Sequence, residues 1–179
     1  NRYSPATNVW SNGAAPPVEM HHFQAVEMNG LIYAPCAFTG NYPNETPLAD
    51  VYYYDPVSNA WGISTQVPQG RRRGAAGAVA YNGKIYVVGG ITNGHVSGWV
   101  PWFDSYNPAT NTWTVLPDAP RARTHFNAIV KDNKLYVIGG HLTGAPGTAT
   151  APVAEVDVYD FASNSWSTLP PSSNLPTPR

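Results

Sequence analysis

The sequence is poor in charged residues. Of 179 residues, ten are Lys or Arg and eleven are Asp or Glu, which gives a formal net charge of −1. Proteins that bind nucleic acid through its phosphates normally carry a clear basic excess, so we expect no nucleic-acid partner. Only three residues are lysine, and Asn, Ser, Thr and Gly dominate the polar positions. This composition favours an extracellular or periplasmic location.

Long apolar runs are missing as well. No stretch approaches the roughly 20 residues that span a bilayer, so we expect no membrane association. Apolar residues at helical spacing do not persist for more than about a turn. Short β-branched and aromatic runs alternate instead with turn residues, and the chain has 18 Pro and 16 Gly. This pattern predicts an all-β fold.

Cysteine is nearly absent too. Cys36 is the single cysteine, which excludes an internal disulfide and favours a buried structural thiol. The sequence shows no initiating Met and no signal peptide, and we expect a mature or excised segment of a longer chain. Asn44-Glu45-Thr46 matches a glycosylation sequon, whose use depends on the source compartment.

What the chain does contain is one element repeated four times: a tyrosine and a tryptophan seven positions apart. The copies are Tyr3–Trp10, Tyr54–Trp61, Tyr106–Trp113 and Tyr159–Trp166, and their tryptophans are 51, 52 and 53 residues apart. This period divides the chain into a remnant, three complete repeats and a trailing connector. The predicted boundaries are 1–15, 16–67, 68–119, 120–170 and 171–179.

Each complete repeat predicts four short strands. Turn pairs follow the first strand of each repeat, at Asn29-Gly30, Asn82-Gly83 and Asp132-Asn133. The predicted first strands are His22–Met28, Gly74–Tyr81 and His125–Val130. The second strands carry Tyr33, Tyr86 and Tyr136, and two of them end in a glycine pair, Gly89-Gly90 and Gly139-Gly140.

The glycine pairs, the second-strand tyrosines and the Tyr–Trp element together resemble the kelch repeat family, over essentially the whole chain, and in particular bacterial secreted kelch proteins. The resemblance implies a β-propeller with one four-stranded blade per repeat. We expect the glycines to admit a neighbouring blade closely and the tryptophans to be large buried anchors. Pro35-Cys36-Ala37 replaces the glycines in the first repeat, and Pro35 predicts a bulge in a second strand over Leu31–Ala37.

Three blades are fewer than the four to eight blades of known propellers. The predicted fold is therefore a propeller segment with two bare blade faces. Either the remaining blades of a longer chain or a second copy would close the ring, and a partial repeat at each end favours the longer chain.

The candidate site lies on the face where each first strand begins and where the loop between second and third strands emerges. Because strands within a blade alternate in direction, these two connections share one face. The candidate residues are His22, Arg71, Arg72, Arg73, Trp99, Trp102, Arg121, Arg123 and His125. Arginine forks suit carboxylate, sulfate or phosphate, and exposed aromatic rings suit sugars. The alternative is that these arginines cap the blades, bond to loop carbonyls and stack on aromatic rings.

These residues predict a non-catalytic binding module for a glycan or an acidic small molecule. The resemblance leaves two alternatives: part of a kelch-type enzyme, similar to sialic acid epimerases or copper radical oxidases, or a propeller that binds proteins. Glu27, Glu45, Asp50 and Asp104 stand at no spacing that marks a general acid or base.

We expect no cofactor and no metal. The Cys and Tyr positions that a copper radical oxidase needs are not filled in this segment. His21 and His22 would point to opposite faces of a strand, and His22 and His125 come from non-adjacent blades.

Overall fold

A computed structural model describes residues 1–142 and 151–178, and antiparallel strands make up most of it. The strands are β1 Arg2–Ser4, β2 Val9–Ser11, β3 Val26–Met28, β4 Leu31–Ala34, β5 Phe38–Thr39, β6 Thr46–Pro47, β7 Asp50–Asp55, β8 Ala60–Gln66, β9 Gly77–Tyr81, β10 Lys84–Val88, β11 Ile91–Asn93, β12 Ser97–Trp99, β13 Phe103–Asn107, β14 Thr112–Leu116, β15 Asn127–Lys131, β16 Lys134–Ile138, β17 Asp157–Asp160 and β18 Ser165–Thr168. Short 3-10 turns cover Gln69–Arg71 and Pro171–Ser173. Across these two ranges, no helix has the length and apolar character needed to cross a membrane.

Twelve of the strands form three sheets with the same strand order. Blade 1 is β3-β4-β7-β8, blade 2 is β9-β10-β13-β14 and blade 3 is β15-β16-β17-β18. The hairpin of β1 and β2 is the end of another repeat. The predicted all-β class, the three complete four-stranded blades and the partial repeat that precedes them are therefore confirmed.

The blades are joined through their innermost strands and through apolar layers. The side-chain oxygen of Gln24 accepts hydrogen bonds from the backbone N–H of Ala78 and of Ala128, at 3.2 and 3.1 Å. One side chain of blade 1 thus contacts blades 2 and 3. One buried cluster includes Val51 of blade 1 and Ile85 of blade 2, and a second joins blades 2 and 3. Because each blade has two apolar faces, this packing stabilises the whole segment.

In the Tyr–Trp element of the blades, the tyrosine is more buried than the tryptophan, which differs from our prediction. Tyr106 and Tyr159 are buried, whereas Trp10 is 68% exposed and Trp166 is half-buried. The tyrosines lie on β1, β7, β13 and β17, and in the three blades these strands have a partner on each side. The tryptophans lie on the edge strands, so the expectation of buried Trp anchors is wrong. Each Trp ring still packs on its Tyr, with centroids 5.1 to 5.3 Å apart.

The innermost strands begin later than predicted. His22, Ala75 and His125 have φ of 52°, 53° and 55°, a left-handed backbone that interrupts an extended strand. β3, β9 and β15 therefore start two to four residues further on. The shared conformation confirms that these three positions are equivalent between the repeats.

The second strand of blade 1 is also shorter than predicted. β4 ends at Ala34, because Pro35 has no N–H to continue the ladder. No bulge forms at Pro35, and the register shift lies instead in the β7–β8 pair, between Val51 and Tyr52. Cys36 has φ 53° at the position that Gly89 fills in blade 2, and it is buried as expected.

Gly89 shows why glycine is needed at this position. A Cβ there would lie 2.6 Å from the carbonyl oxygen of Arg123 and 2.9 Å from the Phe126 ring. Both contacts come from the next blade, so the prediction of a close approach is confirmed.

Candidate functional site

One face of the segment collects the segments that lead into the innermost strands and the loops between second and third strands. We call it the loop face; it comprises residues 16–25, 68–76 and 120–126 with the loops 35–49, 89–102, 139–142 and 151–156. Backbone bridges join the two sets, between His21 and Phe38, Gly74 and Ile91, and Thr124 and His141. The sequence-based expectation that these connections share a face is therefore correct.

Two of the candidate arginines lie beneath this face. Arg73 is fully buried, lies 2.8 Å from Asp104, and donates to the carbonyl oxygens of Gly89 and Val87 at 2.7 and 3.1 Å. Arg123 is 1% exposed and forms the same kind of pair with Asp157. Buried ions need such partners because leaving water is costly. Both guanidinium groups are therefore occupied by the framework.

Arg71 and Arg121 are partly buried beside the same two carboxylates. Arg71 binds Asp104 through two nitrogens, at 3.0 and 3.1 Å, and its guanidinium carbon lies 4.5 Å from the ring centroid of Trp102. Arg121 lies 2.8 Å from Glu155 and 3.1 Å from Asp157. These four arginines match the alternative in which the arginines cap the blades, and Arg71 and Arg73 also lie over the Trp102 ring.

Arg72 differs from its neighbours. Its Nε donates to the carbonyl oxygen of Val67 at 3.3 Å, and within residues 1–142 and 151–178 it forms no ion pair. It borders an open groove of about 410 Å³. The groove is lined by Thr46, Pro47, Gln69, Gly70, Arg72, Thr92 and Trp102. Trp99 does not join it, because its ring packs against the buried cluster of Phe38, Ala75 and Ile91.

The five histidines of the chain meet at the loop face. Ring centroids are 4.8 Å apart for His21 and His22, 5.0 Å for His22 and His95, and 4.9 Å for His95 and His125. His141 stacks on His125 at 4.9 Å. His22 and His125 are 5.1 Å apart, although they belong to non-adjacent blades. The geometric reason for expecting no shared histidine site is therefore wrong.

The left-handed backbone at His22 also contradicts our expectation that His21 and His22 point to opposite faces of a strand. With φ of 52°, His22 does not alternate with His21 as it would in a strand, and their Nδ1 atoms are 2.6 Å apart. His22 and His125 border a central cavity of about 370 Å³, together with Gln24.

Two short hairpins in the loops of blades 1 and 2, β5–β6 and β11–β12, carry Glu45 and His95 into this cluster. The backbone N–H of His95 donates to the carbonyl oxygen of Pro43 at 2.9 Å, and a Cβ on Gly94 would lie 2.4 Å from that oxygen. Glu45 is 3% exposed and its Oε1 lies 2.8 Å from Nδ1 of His95, off the direction of the N–H bond.

Loss of water around the packed rings lowers the pKa values of three of the histidines. Burial lowers the pKa of His125 to about 4, with smaller contributions from His141, His95 and His22. Burial also lowers the pKa values of His22 and His141. These three rings are therefore neutral near pH 7. Burial raises the pKa of Glu45, but the contact with His95 and backbone hydrogen bonds outweigh it, so the pKa falls and the carboxylate is ionised.

Sequence reasoning did not select Glu45, His95 or Gln69 as site residues. None has a counterpart in a recurring motif. Glu45 and His95 lie in the β5–β6 and β11–β12 hairpins, which differ between the blades, and Gln69 lies in the 3-10 turn ahead of blade 2. A signal was present for the buried pairs: an aspartate stands two positions before Tyr106 and Tyr159, in the two repeats that carry the matching arginines.

Three blades of identical strand order, glycines at the inter-blade contact and a Tyr–Trp turn define a kelch-type β-propeller segment. The family model for the KLHDC2/KLHL20/DRC7 Kelch-repeats domain matches residues 3–179. The chain belongs to this kelch-repeat family.

Curated relatives support the same family assignment. The chain is 30% identical over 174 residues to Kelch-like protein terF of Aspergillus terreus, a match that covers 93% of this chain and 37% of that protein. It is 29% identical over 178 residues to Kelch-like protein 25 of Xenopus tropicalis, covering 98% of this chain and 28% of that protein. The chain therefore spans little more than a third of these relatives at most.

A solved structure supports the fold. The structure of YjhT superposes with a TM-score of 0.72, at 22% identity, and the match covers 92% of this chain and 56% of that one. At this identity the likeness concerns the fold alone.

Proposed function

We propose that this propeller segment is part of a non-catalytic binding module whose loop face holds a ligand that carries a carboxylate, either a glycan or an acidic small molecule. The family and fold are consistent with an interaction module. The proposal adds the ligand class and the groove. An extracellular or periplasmic location, where such glycans are met, belongs to the same proposal.

The observation that carries the proposal is the state of Arg72. The other four arginines of the segments that lead into the innermost strands are engaged by Asp104 and Asp157. Arg72 keeps its terminal nitrogens for a ligand, and a planar guanidinium binds a carboxylate through two parallel hydrogen bonds.

The lining of the groove supports a sugar acid in particular. Trp102 offers an aromatic surface, already held in place by the Arg71 guanidinium. Gln69, Thr46 and Thr92 surround Arg72 with amide and hydroxyl groups that pair with sugar hydroxyls.

A binding assay with matched acidic and neutral oligosaccharides tests the proposal. Probes with a terminal sialic or uronic acid should bind in calorimetry, and the same glycans reduced to the neutral alcohol should bind more weakly. Arg72→Ala should weaken the acidic probe about 10- to 100-fold, the effect of a lost charge-assisted hydrogen bond. Gln69→Ala should weaken both probes to a smaller extent.

Arg2→Ala is the matched control, because Arg2 is an exposed arginine of the β1–β2 hairpin outside the groove. It should bind the acidic probe as the wild type does. Equal binding of acidic and neutral probes, or equal losses in Arg72→Ala and Arg2→Ala, would contradict the proposal.

A further inference from the structure

Three histidines from three blades present ring nitrogens to a common point. One nitrogen from each of His22, His95 and His125 lies within 4.8 Å of the other two. The Nε2 atoms of His95 and His125 are 3.0 Å apart. The donors come from three different blades, and His22 and His125 are 103 positions apart in sequence, so the propeller arrangement itself assembles them.

The hydrogen bonds of His21 fix the tautomer of His22. Nε2 of His21 lies 2.9 Å from the carbonyl oxygen of Gly40, which only accepts, so this nitrogen carries the proton. One of the two Nδ1 atoms must donate across 2.6 Å, and with the His21 proton on Nε2 the donor is Nδ1 of His22. The lone pair of His22 is therefore on Nε2.

The charge of Glu45 favours one tautomer of His95, although the 2.8 Å contact lies off the direction of the N–H bond. An ionised carboxylate accepts only, so Nδ1 of His95 carries the proton and Nε2 carries the lone pair. Carboxylates behind metal-binding histidines have this role, since they orient the ring and make it a better donor.

His125 can become the third nitrogen donor if it changes from one neutral tautomer to the other. Without an ion, its Nε2 must donate to Nε2 of His95, and Nδ1 accepts from the hydroxyl of Thr124 at 2.8 Å. Because a hydroxyl both donates and accepts, the Thr124 oxygen can instead accept a hydrogen bond from Nδ1–H of the other His125 tautomer. His125 then offers a lone pair at Nε2 with no net change in charge.

Glu45 supplies a second, independent observation. Both of its oxygens are buried, and neither has a hydrogen-bond partner of good geometry among the described residues. A buried carboxylate whose contacts are poorly aligned is only partly compensated. A cation on the far side of that imidazole would supply the missing positive charge.

We infer that His22, His95 and His125 form a binding site for a divalent transition-metal ion, with Zn²⁺ as the expected occupant. Imidazole suits Zn²⁺ among the common ions. Tetrahedral Zn–N bonds of about 2.0–2.1 Å separate ligand nitrogens by roughly 3.3 Å, so the His95–His125 pair needs little movement and His22 must move inward. Three ligands leave a fourth position, and because His22 and His125 border the central cavity, a water or small ligand can reach it.

Metal titration tests this site. The purified protein, freed of metal by a chelator, is titrated with Zn²⁺ alone against a chromophoric competitor. The expected result is one equivalent per chain and a rise in melting temperature. Titration with Co²⁺ should give the intense visible absorption of a tetrahedral site. This second readout needs no substitution.

Variants separate the ligands from their neighbours. His95→Gln and His125→Gln should each abolish stoichiometric binding, while Glu45→Gln should weaken it about 10- to 100-fold. His141→Gln is the matched control, since His141 stacks on His125 but lies outside the ligand set, and its affinity should stay within a few-fold of wild type. Circular dichroism confirms that each variant is folded.

Two outcomes would overturn the inference. One is the absence of an equimolar Zn²⁺ site in wild type, which would leave the cluster as a packed aromatic group. The other is binding that survives in both His95→Gln and His125→Gln, or a weak octahedral Co²⁺ spectrum, which would mark adventitious surface binding. The groove at Arg72 plays no part in these measurements, so they are independent of the proposed ligand.

Discussion

At the scale of single residues, one asparagine does two tasks in each Tyr–Trp turn. Asn8, Asn59, Asn111 and Asn164 have φ between 51° and 55°, a conformation that asparagine tolerates better than other side chains. Each also accepts a hydrogen bond from the tyrosine hydroxyl five positions earlier, at 2.7 to 3.3 Å. The turn and the buried tyrosine are thereby fixed together.

Substitution of Asn59 should separate the two tasks. Asn59→Ala loses both the left-handed preference and the bonds from Tyr54 and from the Ala14 N–H. It should lower the free energy of unfolding by about 3–4 kcal/mol, from a left-handed cost of about 1–2 kcal/mol and two hydrogen bonds of about 1 kcal/mol each. Asn59→Gly keeps the backbone conformation and should cost about half as much. Urea unfolding measures both.

Asn12→Ala serves as a control for this comparison, because Asn12 is exposed and lies outside the strands. It should change the free energy of unfolding by less than about 0.5 kcal/mol. Equal losses for Asn59→Ala and Asn59→Gly would show that the backbone conformation contributes nothing.

At the scale of elements, a buried ion pair joins each of blades 2 and 3 to the segment leading into it. Arg73 pairs with Asp104 on β13, and Arg123 pairs with Asp157 on β17. Blade 1 has Met20 at the arginine position and Tyr52 at the aspartate position. Both members of the ion pair are thus replaced together by uncharged residues in another repeat of the same chain.

This replacement predicts a non-additive pair of substitutions. Arg73→Met alone leaves Asp104 buried with only Arg71 and should cost about 3–5 kcal/mol, the usual effect of breaking a buried pair. Arg73→Met together with Asp104→Tyr copies blade 1 and should recover a substantial part of that loss. A double-mutant cycle in urea measures the coupling. Additive losses would contradict the idea that the pair acts as a unit.

The blades were predictable because their signals are local. Turn pairs such as Asn82-Gly83, alternating strands and the repeat length need only neighbouring residues. The start of each inner strand was not predictable, since the left-handed residues are His22, Ala75 and His125, and none is a glycine. The reversal of Tyr and Trp burial depends on which strand lies at the edge, and this follows from sheet order.

At the scale of the whole molecule, segments from three blades meet at the loop face, and their contacts determine which side chains can bind a ligand. Sequence reasoning found the face and nine of its residues, but it could not assign carboxylates to arginines. In the assembled blades Asp104 pairs with Arg71 and Arg73, whereas Arg72 forms no ion pair within residues 1–142 and 151–178. Likewise, the contact between His22 and His125 could not be predicted, because the two residues are far apart in sequence.

The lowered pKa of His125 makes stability depend on pH. Between about pH 4 and 6.5 the unfolded chain binds more protons at this residue than the folded protein does. Its contribution to stability is therefore complete above pH 6.5 and is lost as the pH falls toward 4. Protonation would place charge beside His22, His95 and His141, and Glu45 offsets part of it.

An NMR titration of the five imidazole rings in the metal-free protein tests the central claim that three blades bring their histidines together at the loop face. The account predicts that His125 stays neutral down to about pH 5 and protonates near pH 4. It also predicts a proton on Nδ1 of His22 and His95. A His125 that titrates near the ordinary value of 6.5, with rings exchanging freely between tautomers, would show that the histidines do not meet.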